Sequence, residues 1–452
     1  MIGSLRLGDL VEEFGGTLIG SSVEFDAICT DTRKQKPGAL FVALSGENFD
    51  GNRFAQAAQL NGAVAVVVSA SQDELTVPQW VVDDPLVALG QMASVIRRRF
   101  RGPVIAVTGS AGKTTLRAMC EGILSVEGNT HATRGNFNNE VGVPKTLFEL
   151  TDEHRFAVVE MGAGKLGDIA YLCSIATPDV TVVNNVLPAH IEGFGSLDGV
   201  AETKGAIYDL GPRGVKILDV ESPYYAYWSK KYPEGEVIRI ADNEESSADI
   251  WSSAVTENHY GQPSFLLHTP QGIAEVQLQV IGRHNVHNAV VAAALCSAVG
   301  ASLDAIETGL GSVIAVDGRM SVKYTAAGAR LIDDSYNANP GSMRSALDAL
   351  ATQKGKRIFV MGNMAELGPD SDEMHRDIGR YCSADRVDLL VTVGSSARLA
   401  ATSSPVSTKS FDTHLEATEF LRNFDHDQSV MLVKGSRSAR MDQIISNLLS
   451  KD

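Results

Sequence analysis

Residues 104–115 read Val104-Ile105-Ala106-Val107-Thr108-Gly109-Ser110-Ala111-Gly112-Lys113-Thr114-Thr115. Val104 to Val107 is an apolar run of buried-strand length, and Thr115 to Val126 carries helical spacing. The loop between them is glycine-bearing. Glycine lets the backbone turn tightly, so that N–H groups point at phosphate oxygens. The following helix adds the positive end of its dipole. Lys113 has the reach for β- and γ-phosphates, and the hydroxyl of Thr114 after it is a ligand for Mg²⁺. Gly109, Ser110, Ala111, Gly112, Lys113, Thr114 and Thr115 are therefore expected to hold the phosphates of a nucleotide. The general fingerprint has four residues between its glycines, whereas only Ser110 and Ala111 separate Gly109 from Gly112. A chance Gly-Lys-Thr in a surface loop would lack the strand before it and the helix after it.

Outward from this loop, strands alternate with helices. Phe156 to Glu160 and Val180 to Val183 are further buried-strand candidates. That alternation predicts a mostly parallel sheet with helices on both faces. Before it, residues 1 to about 82 read as a small α/β unit with strands at Ala39–Leu44 and Ala63–Val68. A linker-like Val82-Asp83-Asp84-Pro85 leads to a helix from Leu86 to Arg99. The stretch from 220 to 280 is polar and strand-like, with a turn at Thr269-Pro270-Gln271-Gly272. The Ala-rich run Asn288–Val299 reads as a closely packed helix. A third unit begins after Val316-Asp317-Gly318, with apolar strands at 330–333, 357–360, 389–393 and 430–433, the first and last followed by helices. The expected domains are 1–82, 83–314 and 315–452.

The chain has 452 residues, ample for several cores, and its net charge of −16 disfavours nucleic acid as the main partner. Five scattered cysteines without a C-x-x-C pair argue against a zinc site or disulfide framework and for reduced thiols in the cytoplasm. The amino terminus lacks the apolar region of a signal peptide. No apolar run approaches the about 20 residues of a membrane-spanning helix, so no membrane insertion is expected.

A phosphate loop does not name a reaction. A kinase, a switch, a motor and a ligase all use one. Glu160 ends an apolar strand, where a carboxylate faces the ligand crevice as a metal ligand or stands in solvent as a strand-end charge. His190 lies in Pro188-Ala189-His190-Ile191-Glu192-Gly193-Phe194-Gly195, and Lys204 follows in Glu202-Thr203-Lys204-Gly205. By themselves both are ordinary structural residues.

Taken together, the short loop form, Glu160 and the His190…Lys204 spacing resemble the Mur ligase family of cytoplasmic amide-forming ligases. Gly282-Arg283-His284-Asn285-Val286-His287-Asn288-Ala289 is similar to the family's second signature. Asp333-Asp334-Ser335-Tyr336-Asn337-Ala338-Asn339-Pro340 is similar to its third. The resemblance runs over essentially the whole chain in the same order. Within the family, the chain looks like the branch that adds D-alanyl-D-alanine to UDP-N-acetylmuramoyl-tripeptide. Thr30-Asp31-Thr32-Arg33, the run 37–44, Gly135-Asn136-Phe137-Asn138-Asn139, Ile191–Ser196, Met364–Gly368 and Lys434–Ser438 carry that likeness. The Asp-Asn-Pro-Arg motif of the diaminopimelate-adding relatives is absent.

The resemblance implies a three-domain α/β fold: a small N-terminal α/β domain, a central P-loop ATPase-like domain with a mostly parallel sheet, and a C-terminal Rossmann-like α/β domain. It implies ATP and Mg²⁺ as cofactors. The two substrates would be UDP-N-acetylmuramoyl-tripeptide and D-alanyl-D-alanine, and the chain would be a monomer. Lys113 and the loop amides would hold the phosphates. Thr114 and Glu160 would ligate one Mg²⁺, and His190 and Lys204 would serve a second, with Lys204 carbamylated or free. Asn285 and Asn288 would approach adenine, Arg319 the γ-phosphate and Asp334 the ribose. Relatives often carry lysine where Tyr336 stands, so no lysine role transfers there. Thr32 would contact the uridine diphosphate part, and Asn138, Asn139 and Asn339 the rest of the substrate. Lys434, Ser436 and Arg437 would meet the dipeptide or the developing phosphate, or equally pack as loop residues against solvent. The competing readings are another amide ligase of the superfamily, tripeptide-forming or folylpolyglutamate in type, and a nucleotide-binding regulatory module without turnover.

Overall fold

The computed structural model describes all residues except 47, 48, 189, 190, 245, 246, 451 and 452. The chain divides into two compact units. The first comprises Met1–Ala106, Gly128–Gly162 and Asp168–Asp179; the second comprises Val107–Glu127, Ala163–Gly167 and Val180–Asp452.

In the first unit a five-stranded sheet has the order Thr17–Ile19, Gln79–Val81, Ala65–Val68, Leu40–Val42, Ile28–Cys29. Only the pair Thr17–Ile19 with Gln79–Val81 is antiparallel. Leu40–Val42 and Ala65–Val68 are buried at every residue, as expected of a parallel sheet covered on both faces. Phe41, Val66 and Val68 pack with Ala55 and Ala58 beneath them. The helix Pro85–Arg99 starts at Asp84, whose carboxylate accepts the Leu86 N–H at 2.8 Å, with proline in its first turn. Thr130–Ala132 and Phe156–Glu160 pair in parallel beside the opening residues of Val104–Thr108.

In the second unit the end of Val104–Thr108 is followed in the sheet by Val180–Val183, Val215–Asp219, Glu236–Ala241 and Ile250–Glu257. The pairs from Val180 to Ile250 are parallel. Pro263–Thr269 and Gly272–Gln277 then add an antiparallel hairpin that turns at the expected Thr269–Gly272. The helix Tyr225–Lys231 interrupts this strand-like stretch. The sequence did not announce it because only Trp228 is buried there, leaving no apolar stripe to read.

The second sheet of this unit has the order Ser321–Tyr324, Arg330–Asp334, Ser429–Lys434, Lys356–Gly362, Leu389–Val393, Ser407–Phe411. All its pairs are parallel except the first. Two of these strands lacked an apolar signal: Ser321–Tyr324 is short, and Ser407–Phe411 is a polar edge. Side chains alternate between two cores. Ile332, Phe359, Met361 and Leu432 face one, and Leu331, Ile358, Val360 and Met431 face the other. Helices Pro340–Ala351 and Ser371–Tyr381 supply the first core, His414–Leu421 and Asp442–Leu449 the second. At about 1.5–3 kcal/mol for each large side chain fully buried, this two-sided packing fixes the doubly wound form.

Candidate nucleotide site

Within the second unit, the loop after Thr108 is held from the neighbouring strand. Val180–Val183 ends in Asn184 and Asn185, at the carboxyl edge where parallel sheets bind ligands. The Ser110 N–H donates to the Asn185 carbonyl at 3.1 Å. The Ala111 N–H donates to Asn185 Oδ1 at 2.9 Å, and Asn185 Nδ2 returns a bond to the Ala111 carbonyl at 3.1 Å. Ser110 Oγ lies 3.0 Å from both the N–H and the carbonyl of Leu187. Lys113 Nζ donates to the Gly109 carbonyl at 2.7 Å, so the lysine lies folded over its own loop. The Ser110 and Ala111 amides thus bond Asn185, and the helix Lys113–Glu127 begins directly after the loop.

The two asparagines of the second signature complete this brace. Asn184 Nδ2 donates to Asn288 Oδ1 at 2.9 Å, Asn288 Nδ2 to Asn285 Oδ1 at 2.8 Å, and Asn285 Nδ2 to the Ile281 carbonyl at 2.8 Å. This chain explains the second glycine of the loop. Gly112 has φ +78°, and a Cβ there would lie 2.7 Å from Asn184 Nδ2 and 2.9 Å from Asn288 Oδ1. Any side chain would both strain the backbone and break the asparagine contact.

His287 lies on the same helix, His284–Ala298. Its Nδ1 is 2.7 Å from Asp242 Oδ1 and its Nε2 is 3.1 Å from the Asn184 carbonyl. Both ring nitrogens therefore face acceptors, which the imidazolium satisfies and either neutral tautomer does not. Burial pulls its pKa down. The hydrogen bond to Asp242, the charges of Asp242 and Asp219 and the Asn184 carbonyl outweigh this and raise it from 6.5 to about 9.

The C-terminal sheet contributes charge. Lys434 Nζ lies 2.6 Å from Asp334 Oδ2 and 2.8 Å from the Asn337 carbonyl, with both side chains largely buried. Asn339 caps the helix Pro340–Ala351, its Oδ1 accepting the Ser342 N–H at 2.8 Å in a capping box. Arg319 stands between Gly318 and Met320, both with positive φ. Ser110, Ala111, Gly112 and Thr115 line one side of a cavity of ≈ 260 Å³, and Asn285, Asn288 and Asp242 continue its wall. Arg319, Asp334, Asn339 and Lys434 close it from the C-terminal sheet. The structure thus brings together most of the expected nucleotide residues.

Other expected residues lie elsewhere. Ser436 is buried, its N–H donating to the Asn363 carbonyl at 2.9 Å, and Arg437 is exposed beside Asp442. Neither lines the cavity. Lys204 is buried on the helix Leu197–Gly205, 5.9 Å from the Phe194 ring centre. His190 lies outside the described residues. Thr32, Asn138, Asn139 and Glu160 belong to the first unit. Asn138 Nδ2 donates to Glu160 Oε1 at 2.7 Å, and Asn139 Oδ1 accepts the N–H of Gly142, where the helix Gly142–Phe148 begins, at 2.9 Å. The Thr32 carbonyl accepts from Asn61 Nδ2 at 3.0 Å.

Sequence reasoning missed Asn184, Asn185, Asp242 and His287. The first two carried a readable signal, two amides directly after a buried strand. His287 stood in the quoted Gly282–Ala289 segment without a role, and Asp242 carried no signal, because their meeting depends on how distant segments pack. Among the described residues no three His, Cys, Asp or Glu side chains cluster as a metal centre. Glu160 in the first unit and Thr114 in the second are each buried, and each carries a hard oxygen donor of the kind Mg²⁺ takes. No helix among the described residues is long and apolar enough to cross a membrane.

The Mur ligase middle domain family model matches residues 107–296. The model described as Mur ligase, glutamate ligase domain, matches 318–437, and the Mur ligase family, catalytic domain, matches 24–97. The chain is 41% identical over 447 residues to the UDP-N-acetylmuramoyl-tripeptide–D-alanyl-D-alanine ligase of Escherichia coli strain K12, covering 98% of each. It superposes on a crystal structure of MurF from Acinetobacter baumannii with TM-score 0.93 and 35% identity over the whole of both chains. It superposes on MurF from Thermotoga maritima in complex with ADP with TM-score 0.84 and 26% identity, covering 93% of this chain and 96% of that one.

Proposed function

The chain belongs to the Mur ligase family, and from that premise we propose that it joins D-alanyl-D-alanine to UDP-N-acetylmuramoyl-tripeptide at the expense of ATP. The products are the pentapeptide precursor of peptidoglycan, ADP and phosphate. The observation that carries this reading is the single cavity that gathers the phosphate loop of one sheet with Arg319, Asp334 and Lys434 of the other. A nucleotide site walled by two sheets suits an enzyme that must bring a second reactant to the γ-phosphate. Full-length identity with the Escherichia coli ligase supports the choice of substrates.

A carboxylate is a poor electrophile at neutral pH. Transfer of the γ-phosphoryl group to the terminal carboxylate of the tripeptide gives an acyl phosphate and releases ADP. The free amine of D-alanyl-D-alanine then attacks the carbonyl carbon. The tetrahedral intermediate expels phosphate, and the amide forms as the nitrogen loses its proton. Lys113 and Arg319 offset charge on the moving phosphoryl group, and fixed positioning of the reactants supplies much of the remaining acceleration. Asp334 and the Asn285–Asn288 pair hold the nucleoside end. Thr114 and Glu160 would hold Mg²⁺, with His190 and Lys204 serving a second ion; bound Mg²⁺ supplies charge neutralisation at the phosphates.

Thr32 belongs with the uridine diphosphate end of the substrate, and Asn138, Asn139 and Asn339 with its sugar-peptide part. Lys434, Ser436 and Arg437 belong with the dipeptide or the developing phosphate. The division into 1–82, 83–314 and 315–452 assigns one domain to the nucleotide-sugar, one to ATP and one to the incoming amine. The enzyme works as a monomer in the cytoplasm, a setting that suits its five free thiols. The test is mass analysis of the product from purified protein, UDP-N-acetylmuramoyl-tripeptide, D-alanyl-D-alanine and Mg-ATP. Amine-dependent phosphate release with glutamate or diaminopimelate, but not with D-alanyl-D-alanine, would replace this reading with another ligase of the family.

A further inference from the structure

Tyr336 follows the strand Arg330–Asp334 in a segment whose neighbours line the nucleotide cavity. Its N–H donates to the Gly318 carbonyl at 3.1 Å, and a Cβ on Gly318 would lie 3.2 Å from its own Cβ. The Tyr336 backbone is therefore fitted against the turn that carries Arg319. That turn is unusual: Gly318 and Met320 have φ of +74° and +57°, and left-handed backbone at a residue other than glycine persists only where its surroundings hold it. The Arg319 guanidinium carbon lies 4.1 Å from the Tyr336 ring centre. The Arg437 guanidinium carbon, from the turn after Ser429–Lys434, lies 5.9 Å from the same centre. Arg437 also pairs with Asp442 at 3.5 Å, whereas no carboxylate pairs with Arg319 among the described residues.

A guanidinium stacked on an aromatic face keeps its N–H donors in the ring's plane of approach, unspent and directed outward. We propose that Tyr336 is a positioning residue, whose ring holds Arg319, with Arg437 beside it, so that the Arg319 donors meet the oxygens of the phosphoryl group in transfer. The inference rests on the ligase reading given above. It assigns the ring, not the hydroxyl, as the working part of Tyr336, and it makes the effect of Tyr336 pass through Arg319.

The test is steady-state kinetics of the full chain with Mg-ATP, UDP-N-acetylmuramoyl-tripeptide and D-alanyl-D-alanine. Tyr336→Phe should keep kcat/KM for ATP within about twofold, while Tyr336→Leu should lose roughly tenfold in kcat/KM for ATP with little change in the KM for D-alanyl-D-alanine. In an Arg319→Ala background, Tyr336→Leu should add almost nothing, since the residue it positions is gone. Equal losses in the Phe and Leu variants, a Leu variant as active as the unaltered chain, or losses that multiply in the double variant would each overturn the proposal. If the Leu variant melts early, the comparison moves to Tyr336→Met against Tyr336→Trp, with the ring-bearing variant expected to be the more active. A separate arm reads binding without ligation. The preference for ATPγS over ADP should fall in the ringless variant and persist in Tyr336→Phe; equal preference in both overturns the proposal. No turnover by the unaltered chain with these substrates, combined with that retained difference in ATPγS preference, would sink the ligase reading and leave the Tyr336 role standing.

Discussion

The two walls of the cavity are built on different physics. The wall from the central sheet is held mainly by neutral amides: Asn184, Asn185, Asn285 and Asn288 bond one another and the loop backbone. The wall from the C-terminal sheet is held by charge, through the buried Lys434–Asp334 pair and the Arg319–Tyr336 stack. Neutral networks respond little to salt or pH. Charged ones do, and they are unforgiving when one partner is lost. A rigid cradle for the constant part of the nucleotide thus faces a wall whose charges are suited to a reaction in which charge moves.

The largest effect expected is on the cradle's own charge. Lys113→Ala should lower ligase turnover by about a thousandfold, the scale of losing a direct donor to a transition-state charge, in a phosphate-release assay. Retained turnover would mean that the opposite wall carries the phosphoryl charge alone. Next comes the buried pair. Asp334→Leu strands the Lys434 ammonium and should cost about 3–5 kcal/mol in denaturant unfolding, whereas Asp334→Leu with Lys434→Met should recover much of that loss. If the double variant is as unstable as the single one, the pair is not what holds this wall.

On the neutral wall, Asn184→Ala should cost about 1–3 kcal/mol, the expense of leaving buried partners unsatisfied, and calorimetry with ADP should register the loosened loop as weaker binding. That loss should be the same at low and high salt, and a strong salt dependence would erase the contrast between the walls.

A further test concerns a charged joint on the neutral wall. His287 holds its proton more tightly in the folded chain than in the unfolded one, with its pKa raised from 6.5 to about 9. Its contribution is therefore fully present below about pH 6.5 and is lost as pH rises through about 9. Thermal melts should show the unaltered chain losing stability over that window and His287→Gln losing less. Parallel pH profiles would place the proton elsewhere.

Much of this molecule was legible beforehand. The strands at 104–107, 156–160 and 180–183, the helix before Pro103 and the hairpin turn at 269–272 all announce themselves through apolar runs and turn residues. The helix at Tyr225–Lys231 and the edge strand Ser407–Phe411 do not, because neither buries a continuous face. The same division runs through the site. The loop from Gly109 to Thr115 is local chemistry, readable where it stands. The Asn339 side-chain oxygen caps the helix Pro340–Ala351, a use that depends on where that helix begins.

The sequence by itself determined what kind of ligand the chain holds, because a strand, a glycine turn, a lysine and a helix lie within one short segment and need no distant partner. It also determined the family, through motifs carried in order along the chain. Only the tertiary structure decided how the loop is braced, why Gly112 must be glycine and which arginine lies on Tyr336. Those facts depend on which strand edges become neighbours. Sheet order is set by packing over the whole core, and no local pattern of residues encodes it.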